Sequence, residues 1–228
     1  MAIEGTLPAV FKVLPPTTFT AAGGTVGRVL VDQQPAAPGA TPPLYGGATL
    51  IDLTATSSDA TARDLMLYTA SVSTVVGSAS TGAAAVTIQT ITRVSGDFIA
   101  DGWRAGALLM LFAPANAAPQ AAEGVLAIVT GVASQTLTVS GTPFSAVGSL
   151  TAGTRICQLA PRFRATIPAS AGSDGLSASV GLLNHVRDGA LIRSELKLDA
   201  GTLLVAAPVA AISALPTWLS LSPVVALY

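Results

Sequence analysis

The sequence predicts an all-β protein: an antiparallel β-sandwich of jelly-roll type, interrupted by an inserted small β-barrel or sandwich module. Three observations carry that prediction. Short runs rich in Val, Ile, Leu and Thr recur throughout the 228 residues, punctuated by Gly, Pro, Ser and Asp. No twelve-residue stretch sets a charged face opposite an apolar one, as a surface helix requires. Charged residues are only 10% of the chain, against roughly 25% in an ordinary soluble protein. Neutral Ser and Thr, or partner molecules, must therefore cover much of the surface.

Along the chain, Ala9–Leu14 reads as a first strand stopped by Pro15-Pro16, and Val26–Asp32 as a second. The Pro- and Gly-rich segment 35–47 cannot hold a regular ladder and is expected as an extended surface loop. Ala48–Thr56 and Ala62–Tyr68 form strands around the turn Ser57–Ala60, where the Asp59 carboxylate suits a bond from the backbone N–H two residues on. Residues 71–85 are small and polar and read as a linker. Val86–Val94 then reads as one strand, followed by a stretch rich in Gly and Asp up to Trp103. Gly106–Phe112 is another strand and Pro114–Gly124 an alanine-rich loop. Val125–Val132 and Gln135–Val139 flank the turn Ala133-Ser134 as a hairpin, and Ile156–Leu159 closes the series. After Pro161 come a strand over Arg162–Pro168, a loop over 169–175, and Leu176–Leu183 as strand or short helix. The last strands are Leu191–Leu198, Leu203–Val209 and Leu219–Leu227.

Neither 1–71 nor 161–228 holds enough strands for a sandwich alone. Together they form one discontinuous β domain, with 72–160 inserted as a small β domain at a place where a host tolerates insertion.

The composition excludes several classes of function. A net charge of −1, with Lys and Arg placed singly, leaves no basic stripe for a phosphate backbone, so no nucleic-acid partner is expected. Residues 200–228 carry no charged side chain, which invites a membrane reading. Pro208, Pro216 and Pro223 interrupt that stretch, and Thr217, Ser220 and Ser222 alternate with apolar residues. It reads as buried strands, with no membrane partner. The N-terminus has neither the basic nor the apolar region of a secretory signal.

Catalytic and metal chemistry find little support. Cys157 is the only cysteine and His185 the only histidine, so neither a disulfide within the chain nor a site of several histidines can form. Cys157 in a short strand reads as a small core residue. His185, with Asp188 as a conceivable orienter, reads as a loop histidine. Asp97 and Asp101 are close enough to be weighed as a carboxylate pair, but Gly96 and Gly102 beside them favour turn duty. There is no phosphate loop, zinc-protease motif or nucleophile elbow. No enzyme activity, cofactor or metal is expected.

Ile51–Tyr68, a strand, the turn Ser57-Ser58-Asp59-Ala60 and a strand ending in Leu67-Tyr68, resembles a unit of small tailed-bacteriophage virion proteins. Gly201–Pro208 and the final Tyr228 are similar to the last part of such proteins, with the proline displaced and the usual acidic end absent. Ile91–Gly106, Pro114–Ala118, Gly124 and Val129–Val139 resemble, in that order, a module of phage tail-tube and other virion proteins. The resemblance implies a virion structural protein assembled in the host cytoplasm. As such it would be a capsid decoration (cement) protein that stabilises the head by bridging subunits of the major capsid protein. It also implies self-association, with a trimer favoured. A tail-tube or other tail component is the alternative, and a carbohydrate-binding module of a tail fibre the third.

The candidate interface residues are Trp103, Arg162, Phe163, Arg164 and Trp218. Both tryptophans suit either core or interface, since aromatic and Arg side chains dominate binding hot spots. Arg162 and Arg164 flank Phe163 in a strand, so alternation points both the same way, toward solvent or toward an acidic neighbour.

Overall fold

The computed structural model describes residues 10–20, 26–32, 47–78, 81–112, 124–144, 148–172, 178–187, 190–193, 196–199, 201–210, 212 and 218–227, leaving aside the side chains of 10, 71–73, 184–187 and 190–193. These residues form strands and turns without a helix. The first strands are β1 (Val10–Val13), β2 (Thr17–Thr20), β3 (Arg28–Asp32), β4 (Gly47–Ser57) and β5 (Arg63–Val75). Next come β6 (Ala84–Val86), β7 (Thr90–Arg93), β8 (Leu108–Phe112), β9 (Leu126–Val132), β10 (Thr136–Val139) and β11 (Gly148–Ser149). The chain then runs through β12 (Arg155–Ile167), β13 (Val180–Gly181), β14 (Asn184–Arg187) and β15 (Ala190–Arg193). It finishes with β16 (Leu196–Asp199), β17 (Thr202–Pro208) and β18 (Trp218–Leu227).

Two antiparallel sheets carry the architecture. In the six-stranded one, β18 lies along β4 from Leu219–Ser57 to Leu227–Ala48. Strands β1 and β2 follow one another along the outer edge of β18, and β13 and β16 share the far edge of β4. Pro15-Pro16 separates β1 from β2 because proline gives no ladder donor, while the Leu14 amide still donates to the Pro223 carbonyl at 3.0 Å. The larger sheet has ten strands in the order β11-β6-β7-β10-β9-β8-β12-β5-β17-β3. Its spine is the pair β5 and β12, thirteen residues each, antiparallel from Arg63–Ile167 to Val75–Arg155. Strands β14 and β15 form a separate hairpin.

Three apolar clusters follow from side-chain alternation along these strands. The first fills the sandwich: Leu50, Leu53, Leu219, Leu221 and Val225 of the smaller sheet meet Leu65, Leu67, Ile167, Leu204 and Ala206 of the larger. Ser220 and Ser222 alternate with those buried leucines, so the uncharged tail is a strand with one face in the core. No helix among the described residues is long and apolar enough to cross a membrane. The second cluster belongs to the module and is drawn entirely from Val76 to Ile156, with Phe98, Trp103, Leu109, Leu137 and Phe144 fully enclosed. A third, with Met110, Cys157, Leu159, Leu203 and Val205, covers the opposite side of the large sheet.

The module is an open set of strands rather than a closed barrel. The domain boundaries read from the sequence, 71/72 and 160/161, fall inside β5 and β12, which run through both units. The linker expected over 71–85 is absent at its start: 71–75 continue β5, since alternating Ser, Val and Thr pair well in a ladder. The single strand expected over Val86–Val94 is a hairpin, because the Thr87 hydroxyl accepts from the amides of Gln89 and Thr90 at 3.3 and 3.0 Å and turns the chain. Leu191–Leu198 divides between β15 and β16, and Thr17–Thr20 is an added strand. Of Leu176–Leu183 the described part is the short β13. Most of the loops expected at 35–47 and 114–124 lie outside the described residues, as do the loop residues 173–175.

Gly124, just before β9, packs where only glycine fits. Its φ is +73°, the Gly27 amide donates to its carbonyl at 2.7 Å, and an added Cβ would stand 2.5 Å from the Gly27 oxygen and overlap Val26 Cγ1. Gly124→Ala is expected to cost at least about 2 kcal/mol, from left-handed strain and overpacking together, measured as a lowered urea midpoint. A melt unchanged from wild type would contradict this packing.

Candidate functional site

Among the described residues, no group of three or more His, Cys, Asp or Glu side chains is placed to hold a metal ion. The individual acids are held by their own surroundings. Asp59 accepts from the Thr61 amide at 2.9 Å and from Arg63 Nε at 2.8 Å, closing the turn between β4 and β5. Asp97 Oδ1 accepts from the Ile99 amide at 2.8 Å. Asp101 is drawn away to Arg93, with Nη1 to Oδ2 at 2.6 Å and the Thr74 hydroxyl donating to the same oxygen at 3.2 Å. The two acids therefore do turn and ion-pair work.

Arg93 is 3% exposed and lies over the Phe98 ring, 4.1 Å from its centre. Trp103 meets Phe98 edge to face at 6.1 Å and is fully buried in the module core. Trp103 is thus core, not interface, since its side chain has no surface to offer a partner. Arg155, on the far side of the sheet, is also 3% exposed; its Nη1 reaches both Asp32 oxygens at 2.9 Å, tying β12 to β3.

Cys157 is buried among the third cluster, and burial pushes its thiol up to about 12. His185 lies in β14, a strand rather than the expected loop; its side chain and Asp188 fall outside the described residues.

The other interface candidates occupy β12 and β18. Pro161 cannot donate to the ladder, and β12 bulges there: Pro161 pairs with Tyr68 and Phe163 with Leu67, leaving Arg162 as the extra residue. The bulge overturns the expected alternation. Arg162 turns to the side of the sheet that holds Phe163 and Thr69, and its Nε donates to the Thr69 hydroxyl at 2.8 Å. Arg164 points to the opposite side, where it pairs with Asp64; the Thr166 hydroxyl donates to the same carboxylate at 2.6 Å. Those hydrogen bonds, from Thr166 first and then Arg164, hold the Asp64 carboxyl below its ordinary range. Phe163 is half-buried against the sandwich core. Trp218 is half-buried at the start of β18, its carbonyl accepting from the Ser58 amide at 2.9 Å.

Two surface features bring uncommitted groups together. The first is a cleft of about 400 Å³ lined by Thr69, Gln158, Leu159, Ala160, Arg162 and Thr202. Register fixes its place. Gln158 pairs with Leu109 of the module core, and Thr69 pairs with Leu204 of the sandwich core. The cleft therefore lies on one face of the large sheet, at the polar waist between the two cores. Sequence pointed to Arg162 but not to Thr69, Gln158 or Thr202, which meet only through pairing of distant strands; Pro161 was the available signal.

The second feature is β1, an outer strand of the smaller sheet that has no further strand beside it among the described residues. Phe11 and Val13 on it are 71% and 72% exposed. No protein-family model matches the chain, and no curated protein matches it.

Burial of Cys157 gives a direct test. At pH 8 a thiol reagent is expected to leave the native protein unlabelled and to label it fully once denatured. Because the folded thiol ionises near 12 and the unfolded one near 9, its contribution to stability is complete below pH 9 and is lost as pH rises from 9 toward 12. Stoichiometric labelling of the native chain at pH 8 would contradict this burial.

Proposed function

We propose that this chain is a structural subunit of a tailed-bacteriophage particle, acting as a capsid decoration protein that stabilises the head. The observation that carries the reading is the β1 edge, where Phe11 and Val13 stand exposed beside the single charge of Lys12. Soluble proteins blunt such edges with charge, proline or cover, because an open edge pairs with other chains. Here charged residues are scarce throughout, at 10%, which suits a surface that neighbours cover. The binding mode is burial of neutral apolar surface plus edge pairing, each contact weak and multiplied by the symmetry of the shell.

The resemblance of the segments around Ile51–Tyr68 and Ile91–Gly106 to virion proteins supports the same class. A tail-tube subunit is the second reading, favoured by the module's resemblance to tube proteins. Such subunits commonly carry a helix against the sandwich, and the described residues hold none.

Light scattering with negative-stain images separates the two readings. A decoration protein is expected as a monomer or closed trimer that never polymerises, and particles assembled without it are expected to lose resistance to heat and osmotic shock. Hexameric rings or stacked tubes would overturn decoration in favour of a tube; unchanged particles would also contradict it.

A further inference from the structure

The cleft at the waist of the large sheet carries one cation in its lining, Arg162. The Arg162 side chain lines the cleft with its Nε donating to the Thr69 hydroxyl, and its Nη1 and Nη2 have no partner among the described residues. No acid lines the space. The Thr202 hydroxyl and the Gln158 amide add two further groups able to donate, neither of them engaged by another side chain among the described residues. Arg164, two residues on, has its charge answered by Asp64 on the opposite face. The bulge at Pro161 thus separates a neutralised arginine from an open one.

We propose that this cleft is a carboxylate-binding site. The planar guanidinium presents two parallel N–H donors that match the two oxygens of a carboxylate, a geometry that a lysine or a lone hydroxyl does not offer. Thr202 and Gln158 complete a donor set around the same anion. No aromatic ring lines the cleft, so a sugar would lack the stacking surface it needs. The carboxylate belongs either to an acidic side chain of another polypeptide or to a small free acid. The inference stands apart from the virion reading and does not need it.

The test follows the arginine Nε–H resonances of the full-length protein by NMR during titration with N-acetylglutamate, its neutral isostere N-acetylglutamine, and inorganic phosphate. One resonance, identified by its loss in Arg162→Gln, is expected to shift saturably with N-acetylglutamate, in the millimolar range, and not with N-acetylglutamine. The effect should survive in Arg164→Gln and weaken about tenfold in Thr202→Val. Arg162→Lys, which keeps the charge but not the fork, should bind more weakly at an unchanged melting temperature. A capped glycine pentapeptide with a central Glu that binds more tightly than N-acetylglutamate would assign the site to a polypeptide segment. Equal binding would assign it to a free acid, and either result supports the carboxylate. Absence of a saturable shift, phosphate binding as tightly as N-acetylglutamate, or equal loss in Arg162→Gln and Arg164→Gln would overturn the proposal.

Discussion

The long ladder between β5 and β12 is the constraint on which the rest of the molecule depends. Each strand serves the sandwich with one end and the module with the other, so neither core closes without the same pair of strands. Toward Arg63 and Ile167 the ladder supplies Leu65, Leu67 and Ile167 to the sandwich. Toward Val75 and Arg155 it supplies Ile156 to the module, with Val76 just beyond the strand end. The two clusters are thus joined by one continuous ladder.

That shared spine explains how a chain with few charges uses those it has. The Arg155–Asp32 pair crosses from the module end of β12 to β3 at the edge of the sheet, and Arg93–Asp101 ties the turn before Trp103 back to β7. Burying such cations is costly unless they are paired, and removing one partner leaves an uncompensated charge. Loss of Asp32 or Asp101 would therefore leave a buried arginine without its counter-charge. Arg93 illustrates the cost: its Nε and Nη2, like Trp103 Nε1, are buried with no hydrogen-bond partner in the described structure. The exposed Arg162 differs, because a proline-induced bulge holds it over a polar cleft.

Much of the fold was legible from local pattern, and the reasons are physical. Period-two alternation located β4 and β18, because each has one face in a core and one turned outward, while β17, buried on both faces, showed as a short continuous apolar run. Asp59 and the Ala133-Ser134 hairpin followed from turn chemistry. Pattern failed where side-chain hydrogen bonding or ladder geometry overrode it. Thr87 folds Val86–Val94 into a hairpin through its hydroxyl, and small polar residues at 71–75 resemble a linker until a partner strand is present. The same limit governed the candidate site. Arg162 and Arg164 look equivalent in sequence, and only the missing N–H of Pro161, acting through a bulge, sends them to opposite faces. Thr69, Gln158 and Thr202 were out of reach, since their meeting depends on β5 pairing with both β12 and β17, strands distant in the chain.

One shared sheet requires the sandwich and the module to unfold together. The chain has two tryptophans, Trp103 in the module and Trp218 in the sandwich, so variants keeping one or the other report each unit separately. Urea unfolding followed by fluorescence is expected to give the same midpoint and slope from both reporters. Separate midpoints for Trp103 and Trp218 would contradict a common spine and make the module an independent domain.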